Sequence, residues 1–375
     1  MDPAPLNAFL QKMLSMGVPG CELAVCVDHE LVFHECAGFS DAACQRPTAP
    51  EDRWWLYSCT KPVTAAAAQR ALEQGLFTLD DPVSRFLPGW AEAHVVEDGV
   101  RIPVEVTVRH LLTMTAGLNY DRQRPSLQAL MARTGGTAGT VEVADTLGKD
   151  PLCFRPGTKF QYSLCHDVLG AVIEAASGLR FRDYVGREIL EPLGMKDAEF
   201  FTDTPPFAHM AALWTYDAAS KKRSLSGPGN SHVLSPNFDS GGAGLVSTSL
   251  DYLKFADAMA CGGAGANGAR VLQAESIDRM RTEQLTAMGS RDFSCTCGAD
   301  YGYGLGVRTR TAFREGGMSA PGEFGWDGAA GADLTVDPAH RLSAVYVQHV
   351  LGWPSMQGIV HLQLRDVLYP ALGLV

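Results

Sequence analysis

The stretch Ser58-Cys59-Thr60-Lys61-Pro62, running into the alanine-rich segment Val63 to Gly75, limits what this chain can fold into more than any other. Strong helix formers fill the run, Pro62 falls in a first turn that tolerates it, and Gly75 stands where a helix is capped. The pattern predicts a buried helix that starts near Ser58. Ser58 and Lys61, three residues apart, then share one face with Cβ atoms about 5–6 Å apart, so the amine reaches the hydroxyl. A serine is a poor nucleophile unless a neighbour takes its proton, and a lysine does so only where desolvation or nearby charge favours its neutral form. Free N–H groups at a helix start also suit a developing oxyanion. Ser-x-x-Lys is short enough to recur by chance in many proteins, but this is its one occurrence in the chain and it sits at a helix start.

At 375 residues and 46% hydrophobic content, the chain can bury the core of one large domain or of two intimately packed ones. A formal net charge of −11 leaves no basic surface, which argues against nucleic acid and anionic membranes as partners. No run approaches the roughly eighteen apolar residues of a membrane helix. The first residues, Met1 to Leu10, lack the basic start, apolar core and cleavage site of a secretory leader, so a cytoplasmic protein is expected. The ten cysteines, scattered from Cys21 to Cys297, then read as reduced thiols. Cys295-Thr296-Cys297 lacks the spacer of a zinc motif and no His-Glu-x-x-His occurs, so no metal is expected.

Leu6, Phe9, Leu10, Met13 and Leu14 recur at helical spacing, and Gly17-Val18-Pro19-Gly20 stops that helix. Glu22 to Val27 and Leu31 to Cys36 flank Asp28-His29-Glu30 in the pattern of a β-hairpin. After the Ser58 helix comes a turn-rich connection, a short helix within Val106 to Leu118, and a stretch from Asn119 to Asp150. Its glycines suggest an exposed loop beside a substrate cleft. A turn over Pro156-Gly157 delivers Tyr162 ahead of a helix from Asp167 to Gly178, and Phe181 to Gly194 reads as another. Ser240-Gly241-Gly242-Ala243-Gly244 is a structural glycine turn without phosphate-loop spacing, feeding a helix from Leu250 to Met259. The last quarter turns to strands: Tyr301 to Arg308, Gly322 to Trp326, Ala332 to Val336 and Leu342 to Gln348, with Asp337-Pro338-Ala339-His340 as a turn and a helix over roughly Met356 to Leu372. An α/β (α+β) fold follows, one antiparallel sheet built from both termini and carrying a helical insertion. With no long linker or repeat, residues 1–375 read as one catalytic unit, its α/β part near 1–75 and 240–375 and its mostly helical part near 76–239.

Ser58-Cys59-Thr60-Lys61, Arg109 to Leu118, Tyr162-Ser163-Leu164 and Trp326-Asp327-Gly328-Ala329, in that order, resemble the class C β-lactamase-like serine hydrolases. That family spans β-lactamases, D-alanyl-D-alanine carboxypeptidases, D-aminopeptidases, carboxylesterases and a statin-pathway acyltransferase. The resemblance runs from about Leu6 to the last helix and implies the serine β-lactamase and penicillin-binding-protein transpeptidase-like fold. It implies that Ser58 is acylated, with Lys61 and Tyr162 sharing the acid and base work. A phenol of ordinary pKa near 10 serves as a base only beside a cation such as Lys61; the blander reading of Tyr162 is a core tyrosine. Carried over, the N–H groups of Ser58 and Ala329 form the oxyanion hole, Gly328 lets substrate approach closely, and Trp326 and Asp327 border the substrate. A hairpin with a buried tryptophan is the alternative for Gly325 to Gly331.

Two positions depart from the β-lactamase pattern. Leu164 stands where those enzymes carry asparagine, and Trp326-Asp327-Gly328 stands where they carry Lys-Thr-Gly, so the usual cation for a substrate carboxylate is missing. A tryptophan in the third motif looks like the esterase and acyltransferase branch. His166-Asp167 beside Ser163 does not make a relay, since adjacent residues do not line up in one, and no Gly-x-Ser-x-Gly elbow occurs. Cys59 points to another side of the helix than Ser58. The expected function is a cofactor-free serine hydrolase of small-molecule esters or amides. The alternatives are a β-lactamase or D-alanyl-D-alanine carboxypeptidase, a D-aminopeptidase, an acyltransferase, or a penicillin-binding sensor that acylates without turnover. The sequence assigns no oligomeric state.

Overall fold

Apolar strands at the two ends of the chain meet in one sheet. In this computed structural model, which describes residues 1–200, 209–227, 229–297, 300–312, 317–353 and 360–374, the hairpin of β1 (Gly20–Val27) and β2 (Glu30–Gly38) lies beside strands from the last quarter. The order across the antiparallel sheet is Tyr301–Tyr303, Arg308–Arg310, Phe324–Asp327, Asp333–Asp337, Leu342–Gln348, β1, β2. The sheet thus joins both termini, as the strand pattern predicted.

Side chains alternate between the two faces of a strand, and that alternation sorts the core into two layers. Leu23 and Val25 of β1, with Ala344 and Tyr346, face α1 (Ala4–Ser15) and the C-terminal helix Leu362–Leu372. Ala24 and Cys26, with Val345, Val347, Phe324 and Trp326, face the larger layer that holds α2 (Thr60–Glu73) and the helix Cys165–Ser177. Burying 0–6% exposed side chains on both sides of β1 makes it an interior strand.

Three expectations are corrected. The Asn119 to Asp150 stretch is mostly helical, with helices Pro125–Thr134 and Thr140–Leu147, because Gly135 (φ +61°) caps the first helix instead of extending a loop. Tyr301 to Arg308 is two strands, since the chain reverses through Gly304 to Gly306, the last at φ +91°. The helix expected from Phe181 to Gly194 ends at Val185 and continues as one wider turn, Gly186–Leu190. Of the predicted C-terminal helix, the part before residue 360 lies outside the described residues. Among the described residues no helix is long and apolar enough to cross a membrane, and the eight cysteines described outside 295–297 form no disulfide.

Candidate active site

The turn carrying Ser58 is held from both sides. Trp54–Trp55 pairs with Leu245–Ser247, and the Leu56 N–H donates to the Leu245 carbonyl at 3.0 Å. Tyr57 then adopts a left-handed φ of +46°, a conformation that costs a non-glycine residue of order 1–3 kcal/mol. Ser58 follows in the single 3₁₀ turn Tyr57–Cys59, ahead of α2, and is partly exposed while Cys59, Thr60 and Lys61 are buried. Pro62 falls in the first turn of α2, as the pattern predicted. Cys59 turns away and donates its S–H to the Trp326 carbonyl at 3.3 Å.

Lys61 is 0% exposed, and its Nζ lies 3.2 Å from Ser58 Oγ. A second donor goes to the Gly242 carbonyl at 2.8 Å, and the amine sits 4.5 Å from the centre of the Tyr162 ring. The Gly242 carbonyl is positioned by a carboxylate: Asp167 Oδ1 accepts from Ser240 Oγ at 2.5 Å and from the Gly242 N–H at 3.2 Å. A Cβ on Gly242 would stand 2.5 Å from Asp167 Oδ2, so only glycine fits there. Burial pushes the Asp167 carboxyl up, against the opposing pull of the Ser240 hydroxyl and the Lys61 charge. The neighbouring His166 is also fully buried; burial first, then Lys61, hold its ring far below the usual imidazole range, and neither ring nitrogen has a partner among the described residues.

Tyr162 is fixed by aromatic neighbours. The Trp326 indole N–H donates to the Tyr162 oxygen at 2.9 Å, and the two rings lie 5.4 Å apart at 32°. Phe293 and Tyr303 back the indole, leaving it 7% exposed. Sequence reasoning missed two further rings. Tyr120 lies 5.6 Å from the Tyr162 ring, and His232 meets Tyr120 and Tyr57 edge-on. Burial, then Tyr162 and Asp167, push the Tyr120 phenol well up. Burial, then Lys61 and Arg122, push His232 down to about 4, so it is neutral at pH 7. Beside Tyr57 a groove of about 430 Å³ is lined by Leu213, Ser226, Asn230, Ser231 and Leu351.

The strand Phe324–Asp327 brings the third motif to Ser58. Neither the Ser58 nor the Ala329 N–H has a hydrogen-bond partner among the described residues, and both residues are open to solvent. Gly328 corrects the sequence reading. A Cβ there would meet the Leu56 carbonyl oxygen at 2.4 Å, so the room glycine leaves is taken by the backbone ahead of Ser58 and not by substrate. Asp327 is corrected too. Trp326 points into the Tyr162 layer, so Asp327 points to the opposite face. There Arg308 Nη1 and His361 Nδ1 each lie 2.9 Å from it. Burial opposes its charge, but Arg308 and His361 outweigh burial and hold the carboxyl well below the usual range. Asp327 adds no charge to the substrate side.

A family model described as Beta-lactamase matches residues 6–367. The chain belongs to the beta-lactamase family. Protein Rv1367c of Mycobacterium tuberculosis (strain ATCC 25618 / H37Rv) is 31% identical over 371 residues, 90% of each chain. Esterase EstB of Burkholderia gladioli is 28% identical, covering 98% of this chain and 96% of its own. Among solved structures, "EstCE1, a hydrolase with promiscuous acyltransferase activity" superposes with a TM-score of 0.81 at 26% identity, covering 98% of both chains. The fold is that of β-lactamase-like and penicillin-binding proteins, mixed helices on an antiparallel sheet. Within this family, Leu164 is 2% exposed and packs in the core, so no polar side chain from that position reaches Ser58. Three groups of His, Cys, Asp and Glu whose ligand atoms lie within 4.8 Å of one another occur among the described residues: Glu22, His34 and Cys36; Asp28, His29 and Cys261; and Asp327, Asp333 and His361.

Proposed function

We propose that the chain is a serine hydrolase of carboxylic esters that works through an acyl-enzyme on Ser58. The observation that carries the reading is the buried Lys61 amine, 3.2 Å from Ser58 Oγ and beneath the Tyr162 ring. The esterase named among the relatives supports the substrate class.

In this reading the Ser58 hydroxyl attacks the ester carbonyl as Lys61 and Tyr162 take its proton. The negative charge that develops on the carbonyl oxygen meets the unpartnered N–H groups of Ser58 and Ala329. Tyr162 returns the proton to the leaving alkoxide, the alcohol departs, and the acyl group stays on Ser58. A water molecule, deprotonated by the same pair, then attacks the ester carbon, and the carboxylic acid leaves as Ser58 regains its proton. Trp326 serves here as a positioning residue through its bond to the Tyr162 oxygen. A second reading, acyl transfer, replaces that water with an alcohol. The groove beside Tyr57 offers room for one, and the similar EstCE1 is a hydrolase with promiscuous acyltransferase activity.

Hydrolysis of p-nitrophenyl butyrate by the wild type and by Ser58→Ala, with intact-protein mass recorded at early times, tests the proposal. A rate lost in the variant and a transient butyryl adduct on the wild type are expected. Equal rates, or no rate and no adduct, would refute it. Product formed on an added alcohol would select the transferase reading.

A further inference from the structure

At the far end of β1 from Glu22, the hairpin turn meets the end of the helix Ser249–Ala260, and a set of donors unrelated to Ser58 gathers there. The side-chain ligand atoms of Asp28, His29 and Cys261 all lie within 4.8 Å of one another. His29 Nδ1 is 2.7 Å from Asp257 Oδ2, and the Cys261 thiol is 3.7 Å from Asp257 Oδ1. The Cys26 thiol, buried on β1, faces the same Asp257 carboxylate. We propose that Asp28, His29 and Cys261 bind one thiophilic divalent cation of the zinc class, with Asp257 orienting the imidazole and Cys26 buried behind it.

The donor set fits that chemistry. A thiolate, an imidazole and a carboxylate are ligands of the kind zinc takes, with the fourth tetrahedral position left to water, and ligand atoms around such an ion stand roughly 3–4 Å apart. Metal-bound histidines commonly give their other ring nitrogen to a carboxylate, as His29 gives Nδ1 to Asp257. Its Nε2 has no hydrogen-bond partner among the described residues. The turn itself is shaped to present these groups: Asp28 and His29 take left-handed φ values of +50° and +70°, where hairpins usually place asparagine or glycine. Charge closes as well: the Cys261 thiolate, Asp28 and Asp257 supply three negative charges, balanced by the ion and by Arg341, which pairs with Asp28.

Burial first, then Asp257, push the Cys261 thiol up to about 11, so its proton leaves to solvent when the ion binds. No sequence motif announces the site, because its ligands come from one hairpin turn and from a helix end far along the chain.

Titration of metal-free protein with Co²⁺ tests the proposal. One equivalent should give thiolate-to-cobalt charge-transfer absorption with the ligand-field bands of a tetrahedral ion, and Zn²⁺ should displace it. Cys261→Ser should lose the charge-transfer bands. His29→Asn, at a surface turn whose left-handed backbone asparagine tolerates, should keep the fold and weaken Co²⁺ binding by at least about tenfold. A wild type without thiolate bands, affinity unchanged in His29→Asn, or bands that persist in Cys261→Ser would each overturn the assignment. Bands lost in Cys36→Ser instead would place the ion on the Glu22, His34 and Cys36 cluster.

Discussion

The Trp326 indole N–H bears on what the Tyr162 oxygen can do. An oxygen that accepts an N–H holds negative charge better, and such a bond to a charged acceptor is worth about 1.5–3 kcal/mol. Trp326→Phe keeps an aromatic ring against Tyr162 but removes the donor. Ester turnover should therefore fall roughly 10- to 100-fold in kcat with KM little changed. Steady-state kinetics on a p-nitrophenyl ester check this, and a wild-type kcat would mean that the indole only fills space. At the same scale, Tyr162→Phe keeps every stacking contact and loses the oxygen itself. Acylation and deacylation should both slow while the melting temperature stays close to wild type, which rapid-mix mass spectrometry and thermal melts read separately.

Between elements, the decisive contact is backbone against backbone. The end of the strand Phe324–Asp327 approaches the Ser58 turn so closely that the Gly328 Cα faces the Leu56 carbonyl with no room for a methyl group. Gly328→Ala has no flexible side chain to push aside, so the strand end or the Ser58 turn must move, at a cost of roughly 1–3 kcal/mol. The expected result is a lower melting temperature together with reduced acylation of Ser58, because the Ala329 N–H moves with the strand. An alanine variant with wild-type rate and stability would show that the two backbones have slack. The same strand explains why adjacent residues serve different ends. Its alternation sends Trp326 to Tyr162 and Asp327 to Arg308 and His361 on the other face.

Across the whole molecule, a buried ionic network fastens the C-terminal helix to the sheet. Arg365 reaches Glu323 at 2.9 Å and Asp333 at 3.4 Å, and Tyr301 donates to Glu323 at 3.0 Å. Burial alone would push the Glu323 carboxyl up, but Arg365 outweighs it and holds the group down at about 2. A carboxyl depressed in the folded state contributes stability above its unfolded pKa of roughly 4.3, and that contribution is lost as pH falls toward 2. Glu323→Gln leaves Arg365 short of a charge partner and should cost roughly 3–5 kcal/mol at pH 7. Denaturant unfolding at several pH values should show the gap between wild type and variant closing as pH drops from about 4 toward 2. A gap independent of pH would mean that packing, not charge, sets the loss.

What the sequence determined by itself was local or periodic. Ser58 and Lys61 meet because residues three apart share a helix face, and that geometry needs nothing from the rest of the chain. The sheet joining both termini was legible because alternating apolar runs at the two ends need partners and cannot bury their faces alone. The helices within Asn119 to Asp150 were not legible, since glycines that end a helix look like glycines that make a loop. Tertiary structure alone decided the rest of the site. The Gly242 carbonyl, Tyr120 and His232 reach Lys61 and Tyr162 from distant segments, and no spacing encodes that approach. Nor does a motif say which face of a strand is the site. The Trp326-Asp327 pair supplies one residue to Tyr162 and one to the ionic network only because packing fixed which side of the sheet each helix covers.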